Sequence, residues 1–149
     1  MSYWTWDSSL SIGIDVIDGQ HKRILDYIND LHEANQDNDR EKVSEVIQGL
    51  MDYTVTHFTF EEQLMEKAGY PISDSHKMVH KSFVKRIENY SQRHEQGENI
   101  TRKLISELRI WLTNHIKNED ADYAPYVKKS LNKQKGWIKR SLGKLFGAS

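Results

Sequence analysis

Imidazole and carboxylate side chains recur at helical spacing in positions where apolar residues would normally face a core. His57 and Glu61 are four residues apart, as are His76 and His80, so each pair projects from adjacent turns of one helix face. Each pair can therefore direct two ligands toward one point. Unpaired imidazole and carboxylate groups are costly to bury, and a metal ion is the strongest candidate for satisfying them.

Two further histidines can join these pairs. His21 and His115 lie in the apolar stripes of the predicted first and fourth helices, which should face the other helices. Asp120 is harder to place, because it follows His115 by five residues and would lie about 140° around an ideal helix. It reaches the site only if the helix bulges in between. Glu119 and Asp122 are sterically simpler alternatives.

The number of ligands indicates two metal ions. Seven ligands exceed what one ion needs, whereas two six-coordinate ions that share carboxylates would use five histidines and two bridging acids. Cysteine is absent, so thiolate sites, disulfides and iron–sulfur clusters are excluded. Imidazole with carboxylate suits iron, zinc, copper and nickel, and ligand type alone does not select one of them.

The spacing of apolar residues predicts an all-α fold. Only two prolines and eight glycines interrupt the chain, and apolar residues between them recur at helical spacing. An N-terminal arm with Trp4 and Trp6 precedes the helices. The first predicted helix runs from about 18 to 36, and the second starts at a cap at Asp39 and ends before 69. The third starts at a cap at Ser73 and ends before 97, and the fourth begins at about 101. Short connections favour an antiparallel up-down-up-down four-helix bundle. A short turn of helix broken at Pro125 should follow.

Charge is distributed unevenly along the chain. Residues 128–149 carry seven Lys or Arg and no acid, which leaves 14 basic against 22 acidic residues in 1–127. An acidic body disfavours nucleic-acid binding, which needs a basic face. We predict one globular domain over 1–127, followed by a short basic amphipathic C-terminal extension over 128–149 that is weakened as a helix by Gly136 and Gly143.

The extension needs its own interpretation. Its apolar residues include Trp137 and Phe146. Mobile solvated tails are commoner at chain ends, and attachment to an anionic membrane surface or to a partner protein is the alternative. The chain shows neither a basic start followed by an apolar run nor about 18 consecutive apolar residues. We therefore expect a soluble protein. We also expect a cytoplasmic location, with which the absence of cysteine is consistent, and a monomer.

The motifs resemble the hemerythrin family, specifically the bacterial hemerythrins. The likeness covers roughly residues 3–127 and rests on the stretches WDSSLSIGIDVIDGQH, HFTFE, EEQLMEKAGYP, HKMVH, WLTNHI, HIKNED and DADYAPY. All seven expected ligand positions hold the expected residue types. The resemblance selects Asp120 over Glu119. It implies as metal ligands His21, His57, Glu61, His76, His80, His115 and Asp120.

The resemblance implies a non-haem diiron centre, bridged by oxide or hydroxide, that binds O2 reversibly. By resemblance, one iron is bound by His76, His80 and His115. The other iron is bound by His21 and His57. Glu61 and Asp120 would bridge both irons. The iron with two histidines would keep one open position, where O2 would bind.

The resemblance also indicates the walls of an oxygen pocket. Leu112 and Ile116 lie within one turn of the fourth-helix histidine and match pocket positions of the family. Leu25, Phe58 and Trp111 are further candidates. All five would be core residues even in a metal-free bundle, so we state their role in the pocket as an expectation.

Three functions fit such a centre. The favoured one is oxygen storage, buffering or delivery, which is a binding function and not catalysis. The second is an O2 or redox sensor that acts through a separate partner, and the third is a diiron enzyme with peroxidase-like activity. The chain contains no Glu-x-x-His motif, which ferritin-like diiron proteins use twice, and this absence disfavours oxidase chemistry.

Overall fold

The computed structural model describes residues 3–147, and these residues form helices and connecting loops without a strand. The five α-helices are α1 (Asp15–Gln36), α2 (Arg40–Lys67), α3 (Ser73–Glu95), α4 (Thr101–Asn114) and α5 (Ala121–Phe146). A 3-10 turn (Ser8–Leu10) precedes α1, and a π-helical segment (His115–Asp120) joins α4 to α5. Within the described range, none of these helices has the length and apolar character needed to cross a membrane.

The predicted four-helix bundle is confirmed. α1 packs against α2 and α4, α2 also packs against α3, and α3 contacts α4. The inner faces carry apolar residues at helical spacing, among which Ile17, Ile28, Leu50 and Leu64 are fully buried. These stripes enclose the histidines and acids singled out from the sequence.

Several helix ends follow local signals. The Asp39 side chain accepts a hydrogen bond from the backbone N–H of Lys42, as predicted for an N-cap. Gly69 and Gly97 follow α2 and α3 with positive φ angles of 73° and 93°. The prediction that Ser73 caps α3 is wrong. Ser73 is already the first helical residue, and the residue before it makes no side-chain cap.

The N-terminal arm is fastened to α1 by side-chain hydrogen bonds. The Trp4 backbone N–H donates to Asn29 Oδ1 at 2.8 Å, and Asn29 Nδ2 donates to the Trp4 carbonyl at 2.7 Å. Asp18 accepts hydrogen bonds from the Ser11 hydroxyl and from the Ile12 backbone N–H. These bonds let α1 begin at Asp15, three residues earlier than the sequence indicated.

Two histidines outside the cluster, His94 and His32, pack against other side chains. His94 is buried: Arg40 Nη2 donates to the His94 carbonyl at 2.6 Å, and His94 Nε2 donates to the Arg40 carbonyl at 3.1 Å. This reciprocal pair joins the start of α2 to the end of α3. His32 is half-buried and stacks on Tyr3, with ring centroids 4.5 Å apart.

The expected break at Pro125 does not occur. α5 continues through Pro125 to Phe146 and packs along α2. Trp137 stacks on Phe60 with ring centroids 5.7 Å apart, and Phe146 lies against Tyr53 at 5.5 Å. Proline near the start of a helix removes one backbone hydrogen bond, and burial of these aromatic rings offsets that loss and the low helix propensity of two glycines.

Candidate metal centre

The seven residues predicted as metal ligands come together inside the bundle. All seven are buried, and they are supplied by α1, α2, α3 and the π-helical segment. Their donor atoms form two overlapping clusters, in each of which the atoms lie within 4.8 Å of one another. We call them the three-histidine cluster, with Glu61, His76, His80, His115 and Asp120, and the two-histidine cluster, with His21, His57 and Glu61.

The two oxygens of Glu61 face different clusters. Oε1 lies 3.2 Å from His76 Nε2 and 3.0 Å from His80 Nε2. Oε2 lies 3.3 Å from His57 Nε2, on the other side of the carboxylate. Glu61 therefore has the orientation of a carboxylate that can bridge two metal ions.

Asp120 has the same arrangement. Its Oδ1 atom lies 3.0 Å from Nε2 of both His76 and His115, and its Oδ2 atom lies 3.0 Å from His21 Nε2. Asp120 thus adds an oxygen to the two-histidine cluster as well. Each carboxylate directs one oxygen toward each group of histidines.

The π-helical segment explains how Asp120 reaches the site. Five residues of an ideal α-helix would turn its side chain about 140° away from His115. A π-helix has a wider turn, so residues five apart share one face. The sequence required a bulge in this stretch, and the structure confirms it. Of the alternative acids, Asp122 is exposed and Glu119 contacts His115 from outside the cluster.

Four ligand atoms in residues 3–147 lie close to other ligands without forming a hydrogen bond. Within the described chain, Nε2 of His21, Nε2 of His57 and both Asp120 oxygens are buried and have no hydrogen-bond partner. Their neighbours lie about 3 Å away but not in hydrogen-bonding directions, as expected of atoms that point to a shared centre. Adjacent ligands of an octahedral ion with bonds of about 2.1 Å are about 3.0 Å apart. The residues therefore fit a pair of metal ions.

Three histidines are held by outer hydrogen bonds that the sequence analysis did not identify. Nδ1–H of the ring donates in each case, at 2.5 Å for His57 to Gln20, at 2.8 Å for His80 to Glu62, and at 2.5 Å for His115 to Glu119. Donation through Nδ1 leaves Nε2 free to bind metal and fixes the plane of the ring. Of these three pairs, only His115 and Glu119 could be recognised from the sequence, because they lie four residues apart in one segment. The sequence analysis gave Glu119 as an alternative metal ligand.

Aromatic side chains support the site from two directions. The buried Tyr123 hydroxyl donates to Glu61 Oε2 at 2.8 Å. The Phe58 ring stacks on His80, with centroids 3.7 Å apart, and Trp111 stacks on His115 at 4.4 Å. Both of these rings therefore contact the three-histidine cluster.

The three aliphatic residues expected in the oxygen pocket are buried near the histidines. Leu25 follows His21 by one helical turn, and Leu112 precedes His115 by three residues. Ile116 lies in the π-helical segment and is also buried. All three belong to α1 and the α4–π region, which pack against each other.

Without metal, the clusters form a network of charged imidazoles and carboxylates. Burial alone would lower the pKa of His76, but the adjacent Asp120 and Glu61 carboxylates outweigh burial and raise it to about 9. The same balance raises the pKa of His115 well above its usual value. Burial lowers the pKa of His57, so this ring is neutral.

Metal binding should therefore release protons. A metal ion binds neutral imidazole, so the proton held by His76 below its pKa of about 9 must leave. We expect Zn²⁺ loading of the metal-free protein at about pH 7.5 to release at least one proton per chain, and affinity to rise with pH up to about 9. Titration calorimetry in buffers of different ionisation heats measures this release, and heats that are independent of the buffer would contradict it.

Gln20 should control metal affinity although it is not a ligand. We expect Gln20→Leu to weaken binding of one ion about 10–100-fold, because His57 loses the acceptor that orients it. Gln20→Glu keeps an acceptor at this position and should restore most of the affinity. Competition with a chelator measures both. Equal losses in the two variants would indicate a packing defect in place of an orienting role.

A family model and individual relatives of this chain indicate the same protein family. The family model described as the hemerythrin HHE cation binding domain matches residues 12–127. A bacteriohemerythrin of Stenotrophomonas maltophilia (strain R551-3) is 46% identical, and one of Pseudomonas aeruginosa (strain LESB58) is 43% identical; each match covers 99% of this chain and 100% of the relative. Both matches thus continue beyond residue 127 into the C-terminal extension.

A solved structure agrees with this result. The crystal structure of wild-type hemerythrin superimposes with a TM-score of 0.80 at 30% sequence identity, and it covers 85% of this chain and 98% of its own. The sequence motifs, the helical bundle and the two overlapping ligand clusters lead to the same family. The chain belongs to the hemerythrin family.

Proposed function

We propose that the chain binds O2 reversibly at a pair of iron ions, and that it stores, buffers or delivers oxygen. The observation that carries this proposal is the unequal division of histidines between the clusters, three against two, with both carboxylates shared. His76, His80 and His115 would hold one ion and His21 and His57 the other, so the two-histidine ion would have one protein ligand fewer and room for O2. The iron pair, when bound, supplies the electrons that O2 binding requires.

The outer hydrogen bonds support a division of roles between the ions. On the three-histidine side, the carboxylates of Glu62 and Glu119 accept from ligand rings, which favours a more highly charged ion. On the two-histidine side, the partner of His57 is the neutral amide of Gln20. We infer that this neutral partner favours release of O2 over permanent oxidation at the open side.

The apolar surroundings protect the open side from water. We assign Leu25, Leu112 and Ile116 to the pocket wall, because they are buried on α1, at the end of α4 and in the π-helical segment, close in the chain to His21 and His115. Phe58 and Trp111 stack on rings of the three-histidine cluster, so we assign them a supporting role there. Exclusion of water and protons limits the loss of reduced oxygen from such a site.

An oxygen electrode tests the proposed function. Fully ferrous protein should take up one O2 per chain and return it when argon is passed through the solution. Uptake without return would contradict the carrier role. Accumulation or turnover of hydrogen peroxide during such uptake would favour the peroxidase-like alternative.

A further inference from the structure

The C-terminal part of α5 has two opposite faces. Its apolar face lies on α2, where Trp137 stacks on Phe60 and the buried Ser141 hydroxyl donates to Gln63 Oε1 at 3.4 Å. The other side, which we call the basic face, carries seven exposed cationic residues: Lys128, Lys129, Lys133, Lys135, Lys139, Arg140 and Lys144. The helix is thus anchored on one side and strongly positive on the other.

The positive charge of the basic face is not neutralised within the molecule. Across residues 3–147, the ion pairs of Lys or Arg with a carboxylate all lie elsewhere, in α2, in α3 and its following loop, and in α4. No acid occurs in 128–149, and the rest of the chain carries 14 basic against 22 acidic residues. The molecule therefore presents one positive surface on a negative body.

The chemistry of the basic face suits a diffuse anionic surface better than a protein pocket. Within 128–147 no large apolar side chain is exposed, so the apolar anchors typical of protein interfaces are missing there. Six of its seven cations are lysines, which act as point charges and not as planar two-pronged donors. Tyr126, 43% exposed, precedes Lys129 and Lys133 by three and seven residues on the same side. Tyrosine is enriched at membrane interfaces.

We propose that α5, while remaining docked on α2, binds the anionic surface of a lipid membrane through its basic face. The sequence alone indicated a basic amphipathic segment that could attach to an anionic membrane surface, but α2 already covers its apolar side. Binding is therefore electrostatic and peripheral. A nucleic acid fits less well, because a polyanion that extends past α5 meets the acidic body. This inference does not depend on the oxygen-binding proposal.

Vesicle sedimentation tests the proposal with the full chain. We expect binding to phosphatidylcholine vesicles that contain about 30% phosphatidylserine, loss of binding as salt increases, and no binding to pure phosphatidylcholine. The triple variant K129Q/K133Q/R140Q should bind about 100-fold more weakly, because each charge removed lowers partitioning about fivefold.

The matched control removes three cations from another surface. Lys81, Lys85 and Lys103 are exposed on α3 and α4, and K81Q/K85Q/K103Q changes the net charge equally. This variant should bind within about twofold of the natural chain. Equal losses in both triple variants, or equal binding to neutral vesicles, would overturn the proposal. So would the absence of vesicle binding at low salt, which would leave a protein or nucleic-acid partner as the remaining explanation of the basic face.

A cross-link distinguishes a docked helix from an inserted one. The chain has no cysteine, and the side chains of Gln63 and Ser141 meet between α2 and α5. In the variant Q63C/S141C, a short uncharged bismaleimide that joins the two thiols, verified by mass, fixes α5 on α2. We expect the cross-linked and unlinked forms to bind anionic vesicles equally. Binding by the unlinked form alone would show that α5 must detach, contrary to the proposal.

Discussion

Glu61→Gln should abolish tight binding of both metal ions. The natural carboxylate directs Oε1 to His76 and His80 and Oε2 to His57, so both ions share it. Glutamine has the same size but offers one oxygen, and its amide nitrogen does not bind metal. Loss of an outer partner costs about 10–100-fold in affinity, and loss of a shared ligand should cost more than about 100-fold for each ion.

The same substitution should destabilise the metal-free protein. Glu61 is fully buried and, with Asp120, holds the pKa of His76 at about 9, so its removal leaves protonated His76 with one of these two carboxylates instead of both. Breaking a buried ion pair typically costs about 3–5 kcal/mol. Urea titration of metal-free protein near pH 7 measures the change in the free energy of unfolding. Glu66→Gln is the control, because Glu66 pairs with Lys77 at the exposed surface of the same helix.

Retention of two ions by Glu61→Gln would contradict the bridging role. Loss of both ions together with complete unfolding would be ambiguous by itself. For this reason, circular dichroism should accompany the metal count, and we expect the helical spectrum to persist. The control variant should retain both ions and nearly its full stability.

His57→Leu should remove one ion and abolish O2 uptake. It leaves the three-histidine cluster complete, while the other ion keeps one histidine, His21, and the shared carboxylates. We expect about one tightly bound iron per chain, measured by metal analysis after gel filtration, and no reversible oxygen uptake at the electrode. The effect on folding should be modest, because burial lowers the pKa of His57 and this ring is neutral without metal.

The control for His57→Leu is a histidine outside the clusters. His32 is half-buried and stacks on Tyr3, so His32→Gln should leave two ions and oxygen uptake unchanged.

Leucine at position 57 leaves the Gln20 amide without its partner, which costs about 1–3 kcal/mol. If His57→Leu still took up O2 reversibly, the oxygen would not bind at the two-histidine side.

The sequence allowed the bundle and the candidate ligands to be predicted because both follow helical periodicity. Pairs four residues apart, such as His76 and His80, reveal a shared face without any knowledge of the fold. Asp120 does not follow this four-residue spacing, because it lies five residues after His115. Its position correctly indicated a distorted helix, which is the π-helical segment. The choice between Asp120 and Glu119 needed the family resemblance, because ideal helix geometry favoured Glu119, whose carboxylate lies outside the cluster.

The outer shell of the site could not be predicted from spacing. Gln20 and His57 lie on different helices, as do Glu62 and His80, so only the packed bundle brings them together. The continuation of α5 past Pro125 has a similar origin. Local propensity favoured a break, whereas the aromatic contacts of the extension with α2 stabilise a continuous helix.

The central claim is that the two overlapping clusters hold two iron ions, and counting the ions tests it most directly. Metal-free protein should be titrated with ferrous iron without oxygen and examined by native mass spectrometry. We predict saturation at two irons per chain. Saturation at a single iron, or no retained iron in a folded chain, would contradict the account.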